Sequence, residues 1–401
     1  VLFTAPFFHG ATKIMKCVLL TPMYKPWGMS MSMQQQLMRV TDWIPQVVKV
    51  SKVEHHPAAD SLDVVTVLQD YPVVVQRAEY KPGDLASYLP IDTIVPDTEP
   101  FYHLCPRANE KYEVDGVVKN RLGAPKFPLG SVPEKYRILK AKKIRGVYSQ
   151  GLLMPAPKGA KEFDSVTDIL KLKKWDEIEE ENIPGQTNEF EEPPTDWSIP
   201  LYDVLGVRRF LDCLQDGEEV VITEKIHGSN AAFVHDGTRL WVRSRNVYKR
   251  MRTSDQWWGI ATRYGLEQKL RSTPHMVVFG EMYGLMLGFR YDSVPASSSR
   301  KYVPKILFFD VWDVKRACFL PFDDRLRFLA ERGLDPVPLL YRGPWLGRDA
   351  MYPLAEGPTT VGPGKHVREG WVLTTAQERY EPALRARMQV KLVGEGYNLQ
   401  K

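Results

Sequence analysis

Cysteine is scarce in this chain: Cys17, Cys105, Cys213 and Cys318 are the only four in 401 residues, and no two of them share CxxC spacing. That excludes a zinc ribbon and a disulfide framework and fits a reducing, cytoplasmic setting. No apolar stretch approaches the ~20 residues that a membrane-spanning helix needs, so a membrane location is not expected. Internal repeats and strongly low-complexity tracts are missing too. A hydrophobic content of 43% beside 26% charged residues excludes a disordered or fibrous chain. Charge is nearly balanced, at +5 overall, a weak leaning toward a polyanionic partner that many proteins without one share. His55 and His56 have no partner ligands at sensible spacing and read as turn residues, not a metal site.

Several zones can be read along the chain. Residues 1–40, in which Met29, Met31, Met33 and Met38 cluster before the first strand-like pattern, are expected to be a poorly structured extension. Residues 41–155 are strand-like, with VVKVSKVEHH, LDVVTVLQDY, PVVVQRAEY and YRILKAKKIRGVYSQGLLM bounded by Pro, Gly or Asp; short strands at that spacing suggest a small barrel. Residues 156–197 turn polar, through KLKKWDEIEEENIPG and FEEPPTDWSIP, and read as a surface connector. The remaining residues, 198–401, mix helical patterns such as DDRLRFLAERG with strands such as HMVVFGEMYG and KILFFDVWDV. The mixture predicts an α+β fold.

Chemistry concentrates around TEKIHGSN, residues 223–230. The β-branched run Glu219-Val220-Val221-Ile222-Thr223 predicts a buried strand, and Gly228 marks where the chain turns away, so Lys225 sits at a strand end facing a cleft. An ordinary lysine is protonated at neutral pH and a poor nucleophile, so catalysis there requires surroundings that favour the free amine. Further clusters follow at WVRSRN, VVFGEMYG, LFFDVWD, REGWVLT and MQVKLVGEGYN, each joining apolar alternation to one or two charges. Singly they read as well as core aromatics or solvated strand-end charges, and a lone Lys-x-x-Gly is a weak motif.

Taken in order, these elements resemble the covalent nucleotidyltransferases, the superfamily of polynucleotide ligases and messenger-RNA capping enzymes. Lys225-Ile226-His227-Gly228 resembles its first motif, whose lysine takes a nucleotide from a triphosphate as a phosphoramidate. Ser244-Arg245, Phe279-Gly280-Glu281, Phe308-Phe309-Asp310, Glu369-Gly370 and Lys391 resemble the motifs that follow. Histidine in Lys-x-His-Gly-x-Asn is similar to RNA ligases, where DNA ligases and capping enzymes usually carry aspartate. The upstream segments HHPAADSLDVVTV, PVVVQRAEYKPGDLASYLPIDTIVP and KKIRGVYSQGLLMP resemble the amino-terminal OB module of Deinococcus-type RNA ligases. The ten residues after Lys391 are too few for the carboxyl-terminal OB domain of the DNA ligases and capping enzymes.

The resemblance implies an OB-fold β-barrel followed by a ligase domain of ATP-grasp-like antiparallel sheets plus helices. It implies ATP with Mg²⁺ or Mn²⁺, and a monomer that joins RNA 3′-OH and 5′-phosphate ends at nicks in duplexes. Catalytic roles fall to Lys225, His227 and Lys391. Nucleotide contacts fall to Glu224 at the purine edge, Asn230 and Arg245 at the phosphates, Glu281, Glu369 and the ring of Phe309, while Phe308 points into the core. Glu281 and Glu369 are also the metal ligands. Gln389 stands where many ligases have the first lysine of Lys-x-Lys, leaving Lys391 to neutralise phosphate, with Arg385 or Arg387 as helpers. An OB groove would present Lys142, Lys143, Arg145 and Tyr148 to nucleic acid, although those residues read equally as the solvated face of a strand. The competing readings are a capping-type guanylyltransferase, a noncatalytic OB-fold RNA-binding protein and a DNA ligase.

Overall fold

A computed structural model describes residues 43–114, 117–175, 190–193, 197, 199–252, 255–284, 291, 304–362 and 366–400. The expected extension, residues 1–40, and the charged part of the connector, 176–189, lie outside them.

Five antiparallel strands form the first sheet, in the spatial order Leu152–Pro155, Leu85–Leu89, Gln46–His55, Leu62–Val67 and Tyr71–Gln76. Alternation sends Val48, Val50, Val65, Val67, Val73 and Val75 inward around Tyr88 and Leu153, which is why the sequence reads with period two here. The register of Gln46–His55 slips between Val50 and Lys52, a bulge that bends the strand so that it pairs on both sides of a curled sheet. A small hairpin, Lys142–Ile144 with Val147–Ser149, turns through Arg145 and Gly146 at φ 43° and 93°. Its Lys142, Lys143 and Arg145 are exposed. Part of the expected connector packs beneath this sheet: Val166 and Leu172 are buried with Val47, Leu89 and Val95, and Lys173–Lys174 pairs with Thr93–Ile94.

Two sheets build the second half. One has seven strands, ordered Phe190–Glu191, Tyr248–Lys249, Leu240–Ser244, Gly228–His235, Met276–Tyr283, Lys305–Asp313 and Cys318–Phe319. The other has five, ordered Leu205–Gly206, Gln389–Val393, Gly370–Thr375, Glu219–Lys225 and Leu339–Pro344, antiparallel except for the first pair. Helices Gln256–Arg263, Leu266–Leu270 and Phe322–Glu331 lie against the seven-stranded sheet. There they bury Trp257, Ile260, Leu266, Leu270 and Leu329 against Phe233, Val278 and Phe308. Asp255 caps the first of these helices, accepting from the Trp258 N–H at 3.0 Å. The opposite face of the seven-stranded sheet carries Phe279, Phe309, Trp312 and Tyr202.

The tip of the Leu62–Val67/Tyr71–Gln76 hairpin docks onto the second half. Asp70 is buried between Arg208 and Arg348, accepting at 3.1 and 2.6 Å, and Gln69 bonds with Asp212 and the Leu211 N–H, both at 2.9 Å. Leu68 and Gln69, two of the three residues that join these strands, hold left-handed φ of 49° and 69°. Among the described residues no helix is long and apolar enough to cross a membrane.

Candidate functional site

The segment Lys225-Ile226-His227-Gly228 is the crossover between the two sheets of the second half. Lys225 ends a strand of the five-stranded sheet, and Gly228 opens a strand of the seven-stranded one. The crossover is tight enough that a Cβ on Gly228 would lie 2.0 Å from the Met282 carbonyl oxygen, a contact only glycine avoids.

Register then assembles the charged residues. Lys225 pairs with Gly370, so Glu369 stands beside the amine; Lys225 Nζ donates to Glu369 Oε1 at 2.7 Å. Gly370 is required for the same kind of reason, since a Cβ there would meet the Leu392 carbonyl at 1.9 Å. Lys391 is opposite Val372, which is opposite Thr223. Two-residue periodicity therefore puts Lys391 on the same face of the sheet as Lys225, while Ile222, Trp371, Val390 and Leu392 fill the core on the other. On the neighbouring sheet Asn230 is directly opposite Glu281, with the parity of Phe279, which faces away from the helices.

Phe308 and Phe309 part as expected. Phe308 is fully buried under the helices, whereas Phe309 packs with Ile226, Tyr291 and Val361 and stands 4.7 Å from the ring of Tyr202. Strand alternation explains this, and a bulge sits at the same point: Phe279 pairs with Asp310 and Gly280 with Phe308, leaving Phe309 as the extra residue. Arg245 is half-exposed and paired with Asp203 at 2.8 Å.

Glu224 lies on the opposite parity from Lys225 and is almost wholly buried. Its carboxylate accepts from the hydroxyls of Thr359 and Thr360 and from the Thr360 N–H at 2.9 Å, and Arg368 is 3.5 Å away. The adjacent Val361 belongs to the cluster that also holds Ile226 and Phe309, so this carboxylate borders the aromatic side of the site.

The electrostatics of Lys225 are set by competition. Burial pulls its ammonium toward the neutral form, but Glu369 and Glu281 together outweigh burial and the repulsion from Arg245, and the lysine is held above its ordinary value. Glu369 keeps its second oxygen, Oε2, buried without any hydrogen-bond partner. An orphaned carboxylate oxygen beside a second carboxylate suits a divalent cation, and no cluster of three or more His, Cys, Asp or Glu forms a closed metal cage among the described residues.

Three tyrosines complete the surroundings, and lone aromatics carry no motif that could have announced them. Tyr291 accepts from the His227 N–H at 2.7 Å; burial pushes its phenol well up, and the nearby Glu369, Glu224 and Glu281 push it further. Tyr397 and the His227 Nδ1 are hydrogen-bonded at 2.7 Å. Tyr202 bridges the sheets, donating to Asp310 at 2.7 Å and accepting from Gln389 and Arg387 at 2.6 and 3.0 Å. Arg387 is thereby corrected as a phosphate helper: its half-buried side chain is bonded to Asp310 and paired with Glu378 at 3.1 Å. Tyr148 is likewise no surface contact, being 6% exposed and bonded to Asn398.

Residues 218–393 match the family model described as RNA ligase, and residues 44–122 match a model described as an OB-fold domain. A search of curated proteins finds no match. Among solved structures, Naegleria gruberi RNA ligase with PPi is 19% identical, covering 89% of this chain and 98% of that one at a TM-score of 0.67. A mutant of the same ligase with ATP and Mn is 19% identical, covering 89% and 99% at 0.68. A mutant with AMP and Mn is 19% identical, covering 89% and 98% at 0.66. At that identity the likeness establishes the fold alone: an OB-fold domain followed by a sheet-rich domain with few helices.

Proposed function

We propose, from the match of residues 218–393 to the RNA ligase family model, that the chain is an ATP-dependent RNA ligase that seals nicks through a lysyl-AMP intermediate. The single observation that carries this reading is the Lys225–Glu369 pair at 2.7 Å, with Glu281 acting on the same amine and Lys391 on the same face of the sheet.

In the first step the Lys225 Nζ, having lost its proton, attacks the α-phosphorus of ATP. The N–P bond forms as the bond to the bridging oxygen breaks, and pyrophosphate leaves. Lys391 and Arg245 offset the charge that gathers on the α-phosphate and the leaving group. Phe309 covers the adenine face, and Glu224, fixed by Thr359, Thr360 and Arg368, is the acceptor for the purine edge. Asn230 and His227 hold phosphate oxygens, and the bonds from Tyr291 and Tyr397 keep the His227 loop in place. A Mg²⁺ or Mn²⁺ ion would be held by Glu281 and the orphaned Oε2 of Glu369, and would supply further neutralisation of the phosphates.

In the second step a 5′-phosphate oxygen attacks the adenylate phosphorus and the P–N bond breaks, returning Lys225. In the third a 3′-OH attacks the activated 5′-phosphate and AMP departs. Pairing of both ends on a template strand supplies the orientation and lowers the entropic part of the barrier. The exposed Lys142, Lys143 and Arg145 of the OB domain supply phosphate contacts for the duplex.

Incubation with labelled ATP and Mg²⁺, followed by nicked duplexes of mixed sugar type, tests the reading. The expected results are an AMP adduct that vanishes in Lys225→Ala and sealing that requires ribose at the 3′-OH side. A GTP-only adduct would identify a guanylyltransferase, and an adduct at another lysine in Lys225→Ala would overturn the mechanism.

A further inference from the structure

The short helix Glu395–Gln400 at the end of the chain touches both halves of the molecule with adjacent residues. Tyr397, 4% exposed, bonds to the imidazole Nδ1 of His227 in the nucleophile loop. Asn398, 9% exposed, donates from Nδ2 to the Tyr148 hydroxyl at 3.0 Å. Tyr148 belongs to Val147–Ser149, the returning strand of the hairpin whose outward strand and turn expose Lys142, Lys143 and Arg145. The hairpin thus carries exposed cations beside a buried phenol, with Lys143 directly opposite Tyr148 in the register. Burial raises the Tyr148 hydroxyl to about 12, so it stays protonated and acts as a neutral hydrogen-bonding group throughout the working range.

The helix itself is fastened from a third direction. Glu356 accepts from the backbone N–H groups of Glu395 and Gly396 at 2.6 and 3.2 Å, and Glu395 pairs with Arg208 at 3.4 Å, which in turn holds Asp70 of the first sheet. It is thus a fixed strut. Two successive side chains on it reach the nucleophile loop and the basic hairpin, which lie far apart in sequence.

We propose, on the basis of the ligase reading, that Tyr397 and Asn398 are positioning residues that set the distance between the basic hairpin and His227. Nucleic acid gripped by Lys142, Lys143 and Arg145 then delivers its 5′-phosphate end to the adenylate in register. The two residues act at different points. Asn398 orients the hairpin and so governs how the nick is held, whereas Tyr397 orients the imidazole and so governs the reaction once it is held. Self-adenylylation, which uses no nucleic acid, does not depend on the hairpin link.

The test uses the full chain with three separate readouts: adduct formation with ATP, binding of a nicked duplex, and sealing of a pre-adenylylated nick. Asn398→Ala and Tyr148→Phe are expected to raise KM for the nick and lower sealing ~10- to 100-fold, with adduct formation at the parent rate. Tyr397→Phe is expected to lower kcat for sealing at unchanged nick affinity. Adding Asn398→Ala to a Lys142→Ala/Lys143→Ala variant should cost little more, because the link acts through those lysines. Unimpaired sealing by Asn398→Ala, additive losses in the combined variant, or equal loss of adduct and sealing with a lowered Tm would each overturn the proposal. Failure of the parent chain to form any adduct would instead overturn the ligase reading itself.

Discussion

At Lys225, the proposed nucleophile, the surroundings favour the charged amine. Two carboxylates keep the amine charged against the opposing effect of burial, so its attack requires their charge to be offset or the proton removed. The sign is testable without any turnover. Glu369→Gln removes the largest attraction favouring the ammonium, so the pKa of Lys225 must fall and its modification by an amine-directed reagent, in the absence of ATP and cation, must begin at lower pH. Glu281→Gln should shift the profile the same way, whereas an unchanged profile in both variants would show that the carboxylates do not control the lysine. The neighbouring glycines work by exclusion. Gly228→Ala would drive a methyl into the Met282 carbonyl, and we expect a loss of roughly 1–3 kcal/mol or more in urea denaturation together with loss of the adduct.

Between elements, the decisive group is Asp310. It is fully buried on the seven-stranded sheet and bonded to Arg325 of the Phe322–Glu331 helix, to Arg387 beside the last strand of the five-stranded sheet, and to Tyr202. Burial opposes its ionisation, yet Arg387 and Arg325 prevail and hold its carboxyl below the usual range. Its contribution is therefore present above the unfolded-state value of ~4 and is lost as pH falls through the lower folded-state value. Asp310→Asn should flatten the acid limb of stability against pH. Arg387→Ala should cost about 3–5 kcal/mol, because it strands a buried carboxylate. If Arg387 were instead a phosphate ligand at the surface, its removal would leave the urea midpoint unchanged.

For the whole molecule, the hairpin exposes Lys142, Lys143 and Arg145, and Asp70 fastens the first sheet to the second half between Arg208 and Arg348. Binding to nicked duplex should weaken linearly with the logarithm of salt concentration, and Lys142→Ala with Lys143→Ala should reduce that slope by about 2. An unchanged slope would remove the hairpin from the nucleic-acid surface. Asp70→Asn, which touches no residue of the cleft, should lower sealing more than adduct formation, measured on the same preparation.

What could be read from sequence, and what could not, follows from the range over which each signal acts. Strand alternation is local, so the barrel strands and the separation of Phe308 from Phe309 were legible, as was the glycine after the nucleophile, because backbone crowding acts on the residue itself. Lys225, Glu281, Glu369 and Lys391 were legible only as an ordered series of motifs. Their proximity depends on the pairing of Lys225 with Gly370 and of Val372 with Lys391, long-range register that no local pattern encodes. The roles of Tyr202, Tyr291, Tyr397, Asp70 and Arg387 were decided by tertiary structure alone. A hydrogen bond between residues 64 or more positions apart leaves no periodicity, and a lone tyrosine or arginine has the same composition whether it faces water or joins two sheets.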